Sequence, residues 1–247
     1  FCTPDQIKEE ILKTIEITMR LLKKFGFEDI KVALSTKPEK AMGDDALWDK
    51  ATKALESALK KTNIDYTINE GDGAFYGPKI DFQIKDSMDR EWQLTTIQLD
   101  FFQPENFDLE YVTSAGTKAR PVMIHRALYG SLERFLGILI EHYKGNLPFW
   151  IAPVQVRVLT ITDDQKKYAQ SIYNKLKESG IRAELDESSD PISGQIKAAQ
   201  LEKIPWMIVV GNKEMTNNTV TLRFLNGKQE FGISIDELIK RASEENK

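Results

Sequence analysis

The sequence is poor in the residues that most often announce a reactive centre. It holds one cysteine, Cys2, and two histidines, His125 and His142, among 247 residues. A single cysteine excludes an internal disulfide and suits a reducing compartment. One cysteine and two histidines cannot build an ordinary Cys/His zinc site unaided. No Ser-His-Asp or Cys-His arrangement for covalent catalysis can be recognised. The chain also lacks a basic excess. Its net charge is −4, so any contact with RNA has to come from a local patch. No apolar run approaches the ~20 residues of a membrane helix, and the longest, around Leu136 to Ile140, is broken by charge. Internal repeats, low-complexity tracts, an initiator Met and a signal peptide are absent as well.

What is present reads as a folded chain. An apolar fraction of 41% and a charged fraction of 29% fit a globular protein of one large or two ordinary domains. FCTPDQIKEEILK opens on a helix start, with Thr3 as N-cap, Pro4 at the first helical position and Gln6 closing a capping box. An amphipathic helix is predicted over 4–25, with Ile7, Ile11, Leu12, Ile15 and Met19 on one side and Gly26 as its stop. A chain that begins this way reads as the continuation of something longer. Strands are predicted at 30–36, on either side of the glycine-rich GDGAFYGPK (71–79), and at 92–101, with a helix starting at Asp44 or Asp45. GNLPFWIAP (145–153) marks a boundary by its two prolines, its glycine and a change in composition. Strands and helices then alternate, with TNNTVTLRF as a late strand and SIDELIKRASEEN as the closing helix. The expected fold is α/β (α+β): an antiparallel sheet with helices over 1–150, then a smaller mixed-sheet α/β domain over 151–247.

PVMIHRALYGSLERFLGILIEH (121–142) is the most informative stretch. Val122, Ile124 and Leu128 share one strand face, and His125, Ala127 and Tyr129 the other. After Gly130 the period becomes helical, through Leu132, Phe135, Leu136 and Leu139, with Ser131 as N-cap. Arg134 then falls in the first helical turn, against the positive end of the dipole. A bound phosphate would supply the missing anion; so would a nearby carboxylate. His125 on its own reads either as a hydrogen-bonded structural histidine or as a ligand.

AFYGPKIDF (74–82), TTIQLDF (95–101), PVMIHRALYGSLERF (121–135) and LPFWIAPVQV (147–156) come in order and close together. With LSTKPEK (34–40), GDDALWDKA (43–51) and IPWMIVVGNKE (204–214), this set resembles the threonyl-tRNA synthetases, a class II aminoacyl-tRNA synthetase family. The resemblance runs over nearly the whole chain. It implies a threonine–tRNA ligase: threonine and ATP give threonyl-adenylate, and the acyl group then passes to tRNA(Thr). Arg134 would be an arginine on ATP phosphate and His125 one of three protein ligands of a zinc ion, the other two lying upstream. Tyr76 and Gln98 match positions lining the amino-acid pocket. Gln93 matches an adenylate-contacting position and Lys79 a lysine near the tRNA acceptor end. Glu214 and Arg223 match anticodon-contacting positions in an anticodon-binding domain. Zn2+, and Mg2+ with ATP, are the implied cofactors, and a homodimer is the implied assembly. Zinc that binds the side-chain hydroxyl of threonine would reject valine strongly and serine weakly.

The pattern also departs from that family. WQLTT (92–96) carries Leu94 and Thr95 where the family has small residues, which adds bulk beside the expected adenylate pocket. ESSDPISGQIK (187–197) has Ser188 and Ser189 where the family has a cation and an amide, which weakens RNA affinity or alters anticodon preference. This feature resembles organellar enzymes and favours the mitochondrial matrix over the cytoplasm as the intracellular setting. Two other readings compete: a synthetase-like RNA-binding or accessory protein that activates no amino acid, and a related synthetase for proline, histidine or glycine.

Overall fold

The computed structural model describes residues 1–246, and the chain divides into two compact units, Phe1–His142 and a second beginning at Tyr143. In the first unit, Thr3 and Gln6 close the capping box and a single 3-10 turn leads into α1 (Ile7–Lys24). Its buried face is Ile7, Ile11, Thr14, Ile15, Thr18 and Leu22. The two threonines enter the core because their hydroxyls donate to the carbonyls of Glu10 and Thr14, one turn back. Gly26 follows at φ 83° and ends the helix.

The remaining elements are β1 (Ile30–Ser35), α2 (Asp45–Thr62), β2 (Thr67–Asn69), β3 (Lys79–Lys85), β4 (Glu91–Asp100), α3 (Phe102–Asn106), β5 (Tyr111–Val112), β6 (Lys118–Ala119), β7 (Met123–Ala127) and α4 (Leu132–Tyr143). Asp44 caps α2 by accepting from the Leu47 N–H. Five strands form one sheet in the order β2-β1-β3-β4-β7, antiparallel except for the β1/β2 pair. One face of this sheet is apolar, with Ile80, Phe82, Ile97 and Leu99 fully buried, and α1 and α2 pack on β3 and β4. The other face is polar and half-open.

Two local findings differ from the sequence pattern. In α4 the buried stripe is Phe135, Ile138 and Leu139, while Leu132, Leu136 and Ile140 are exposed. Phe135 sets this rotation by packing on Phe25, Phe27 and Tyr129 with ring centroids 4.6 to 6.2 Å apart. Leu94 and Thr95 add no bulk to the polar face. They are 2% and 0% exposed, Thr95 shares the apolar face with Ile97 and Leu99, and its hydroxyl donates to the Leu128 carbonyl.

The second unit runs β8 (Val156–Thr160), α5 (Lys166–Glu178), β9 (Ala183–Leu185), α6 (Ile192–Leu201), β10 (Trp206–Val210), α7 (Asn212–Asn217), β11 (Thr219–Phe224), β12 (Gln229–Ser234) and α8 (Ile235–Glu245). Its sheet has the order β12-β11-β10-β8-β9, parallel across β10, β8 and β9 and antiparallel beyond. The core gathers Val156, Val158, Ile172, Leu176, Ile208, Leu222 and Leu238 around Phe149 and Trp206. Two of these elements were not legible in the sequence. The predicted turn at Asn217-Asn218 closes the short helix α7, with Asn218 left-handed at φ 52°, and β12 continues the sheet after a turn at Gly227.

Candidate active site

The polar face of the first sheet is assembled by register. Gln98 on β4 pairs with Lys79 on β3 and with His125 on β7, so these three side chains form a row across three strands. Directly opposed residues stand ~4.5–5.5 Å apart, near enough to share one small ligand. The next row holds Asp81 opposite Thr96, and Thr96 opposite Ala127. Gln93 would fall on the wrong face by simple alternation with Thr96. A bulge corrects this: Phe82 pairs with Thr95 but Gln83 pairs with Gln93, leaving Leu94 as the extra residue. Asp81 and Gln83 share a face, so Gln93 joins Thr96 on the polar side.

The loop before β3 brings in Tyr76. Gly77 lets it approach, because a Cβ there would lie 2.0 Å from the Leu99 carbonyl oxygen. The Tyr76 hydroxyl donates to Gln98 Oε1 at 2.5 Å, and its ring lies 5.4 Å from the His125 ring. Burial, helped by the charge of Asp100, pushes the Tyr76 phenol up, so it stays a neutral donor.

His125 is held from behind. Its Nε2 lies 2.8 Å from Oδ2 of Asp100, which is fully buried. Oδ1 of Asp100 accepts from the Phe102 and Gln103 amides at the start of α3. A carboxylate can only accept, so Nε2 carries the donated proton and Nδ1 is left for a ligand. Lys79 is anchored by Asp81 at 2.6 Å and Asp72 at 3.2 Å. Burial pulls its pKa down, but the two carboxylates more than offset this and the ammonium is held above its usual range.

Arg134 lies in the first turn of α4. Ser131 caps α4 by accepting the Arg134 N–H at 3.2 Å. Arg134 is exposed, and its guanidinium sits 5.1 Å from the centre of the Trp92 ring. Trp92 precedes Gln93 in β4 but pairs with the buried Ile84, so its ring, with Arg134 on it, lies toward the face of the sheet opposite to the Gln93 side chain. Trp92 is itself fixed, since its indole N–H donates to Asp86 at 2.8 Å. The arrangement offers a cation at a helix N-terminus, a row of hydrogen-bonding groups and a carboxylate-backed histidine. The row can hold a small polar molecule, and the cation at the α4 N-terminus can hold an anion.

In the second unit, the carboxyl ends of parallel β8, β9 and β10 share one sheet edge. Ser188 and Ser189 lie exposed in the loop after β9. Glu214 follows β10, and its carboxylate accepts from the Gly211 N–H at 3.0 Å and the Thr221 hydroxyl at 2.8 Å. Arg223 lies on the same face of β11 as Thr221, opposite Met207, and its buried Nε has no partner within the structure.

Comparison with known proteins gives the class first. Residues 1–143 match the family model described as tRNA synthetase class II core domain (G, H, P, S and T), and residues 155–245 match the one described as Anticodon binding domain. The chain belongs to the class II tRNA synthetase family. Within it, the chain resembles threonine enzymes. It is 52% identical over 245 residues to a threonine–tRNA ligase of Clostridium tetani, covering 99% of this chain and 38% of that protein. It is 50% identical over 247 residues to the threonine–tRNA ligase catalytic subunit of Sulfurisphaera tokodaii, covering 99% and 46%. A crystal structure titled as the RNA binding domain of threonyl-tRNA synthetase from Cryptosporidium parvum superposes with TM-score 0.91 at 40% identity, covering 99% of this chain and 61% of that one. The chain thus spans 38% and 46% of the length of these two curated relatives.

Proposed function

We propose that the protein containing this chain is a threonine–tRNA ligase, with residues 1–150 contributing to its catalytic domain and 151–247 binding the anticodon. The observation that carries this reading is the single row Lys79–Gln98–His125, closed by Tyr76 and backed by Asp100. Threonine's carboxylate would attack the α-phosphate of ATP, displacing pyrophosphate and leaving threonyl-adenylate. The acyl group would then move to the terminal ribose of tRNA(Thr). Arg134 neutralises phosphate charge with the help of the α4 N-terminus, and its seat on Trp92 keeps the guanidinium extended. Gln93 contacts the adenylate. Tyr76 and Gln98 orient the amino acid, and Lys79 supports the acceptor end.

A zinc ion fits His125 as one ligand through Nδ1, because Asp100 already occupies Nε2. Among the described residues there is no group of three His, Cys, Asp or Glu side chains that could hold a metal, so a zinc ion at His125 would need its other ligands from outside residues 1–246. When bound, zinc supplies a Lewis acid that distinguishes a side-chain hydroxyl from a methyl group. Mg2+ would accompany ATP. Glu214 and Arg223 are the anticodon contacts, Arg223 through the face that carries its unpartnered Nε. A homodimer is the expected assembly.

No helix among the described residues is long and apolar enough to cross a membrane. An intracellular setting follows from the ligase role itself. The mitochondrial preference rests on Ser188 and Ser189 alone, and the two curated relatives named above are bacterial and archaeal. The test is ATP–pyrophosphate exchange with threonine on the full-length protein. A folded, zinc-replete enzyme that exchanges with no amino acid would favour the accessory RNA-binding reading instead.

A further inference from the structure

Asp81 anchors Lys79, but its surroundings involve more than that one pair. It is 1% exposed and lies at the centre of the polar face. Its Oδ1 accepts from Gln93 Nε2 at 2.6 Å and Thr96 Oγ1 at 2.9 Å. Its Oδ2 accepts from Lys79 Nζ at 2.6 Å and Ser35 Oγ at 3.0 Å. Four side chains from three strands therefore converge on one carboxylate, and two of them are candidate site residues. A buried carboxylate is costly unless every lone pair is used, and here each oxygen has two donors.

The chemistry fixes more than position. A carboxylate offers only acceptors, so the Gln93 amide must turn its NH2 inward and its Oε1 outward. Thr96 reinforces this. Its own proton goes to Asp81, so its oxygen accepts from Gln93 Nε2 at 2.7 Å. Without the bulge at Leu94, Gln93 would not reach this face at all.

We propose that Asp81 is a positioning residue, which fixes the amide of Gln93 and the seat of Lys79 so that the site presents a carbonyl acceptor to a hydroxyl or amino group of the bound substrates. This deepens the ligase reading and rests on it. An Asn side chain at this position would offer both an acceptor and a donor, so Gln93 could turn either way, and Lys79 would keep only Asp72, at 3.2 Å, as its counter-charge.

The test is threonine-dependent ATP–pyrophosphate exchange by the full-length protein with Asp81→Asn, Asp81→Glu and Ser35→Ala. Misplacement of a binding group by ~1 Å can cost about 100-fold in rate. Asp81→Asn is accordingly expected to lower kcat by about 10–100-fold, with KM for threonine within about threefold of wild type and cooperative melting retained. Asp81→Glu keeps the charge and is expected to recover about a third of kcat or more, and Ser35→Ala, which removes only a scaffold donor, to stay within about threefold. Three results would overturn the proposal: an unchanged kcat in Asp81→Asn, an equal loss in Ser35→Ala, or an Asp81→Asn protein that no longer melts cooperatively. Absence of exchange in the wild type would instead remove the ligase reading and the positioning role with it.

Discussion

Arg134 is exposed at the positive end of α4 and rests on the Trp92 ring, a setting that a bound anion would complement. Arg134→Ala is expected to lower pyrophosphate exchange by about 100-fold or more while leaving the melting temperature within about 3 °C. Normal exchange in that variant would take Arg134 off the site. His125→Ala is expected to reduce the zinc bound per folded chain of the full-length protein, read by metal analysis after dialysis; unchanged zinc content would contradict the ligand role. These two residues stand out in the sequence because the motif that carries them is local: a strand, a Gly-Ser turn and a helix start within fifteen residues (121–135). Asp100 and Asp81 do not. Asp100 reaches His125 across 25 residues, and Asp81 gathers donors from up to 46 residues away. No spacing rule links such partners; only strand register does.

At the scale of elements, the β3–β4 hairpin carries the site and has its own anchor. Asp86 accepts from the Met88 and Arg90 amides, from Arg90 Nε and from the Trp92 indole. Burial alone would raise its pKa. These donors outweigh that and hold it far below the usual carboxylate range. A folded-state pKa below the unfolded value near 3.9 gives stability that is full above about pH 4 and lost as pH falls through the folded value. Asp86→Asn is therefore expected to lower the denaturation midpoint at pH 7, with the gap from wild type closing below about pH 4. A gap independent of pH would show that the carboxylate's charge contributes nothing. Gly77→Ala, facing a carbonyl oxygen 2.0 Å away, is expected to cost about 2–4 kcal/mol and to displace Tyr76. A variant as stable and as active as wild type would refute that close approach. The bulge at Leu94 escaped sequence reading because an extra residue inside a continuous β-branched run leaves no mark on composition. The strand β12 escaped because QEFGIS alternates weakly, although Asn226-Gly227 is a recognisable hairpin turn.

At the scale of the molecule, the chain forms two units, one carrying a polar row across an antiparallel sheet and one built on a mixed sheet with exposed Ser188 and Ser189 after its strand β9. Their order follows from the chain, with 1–143 matching a class II core and 155–245 an anticodon-binding domain. The antiparallel and mixed sheets were legible because strand runs, turn residues and a Pro/Gly boundary agree with one another. Substrate choice belongs to the whole protein, since this chain spans 38% and 46% of its two named curated relatives. The central claim is tested most directly by ATP–pyrophosphate exchange on the full-length protein with threonine, serine and valine in parallel. Exchange is expected with threonine, more weakly with serine and almost not at all with valine. Exchange with valine as fast as with threonine, or none with threonine in a folded, zinc-replete sample, would contradict it.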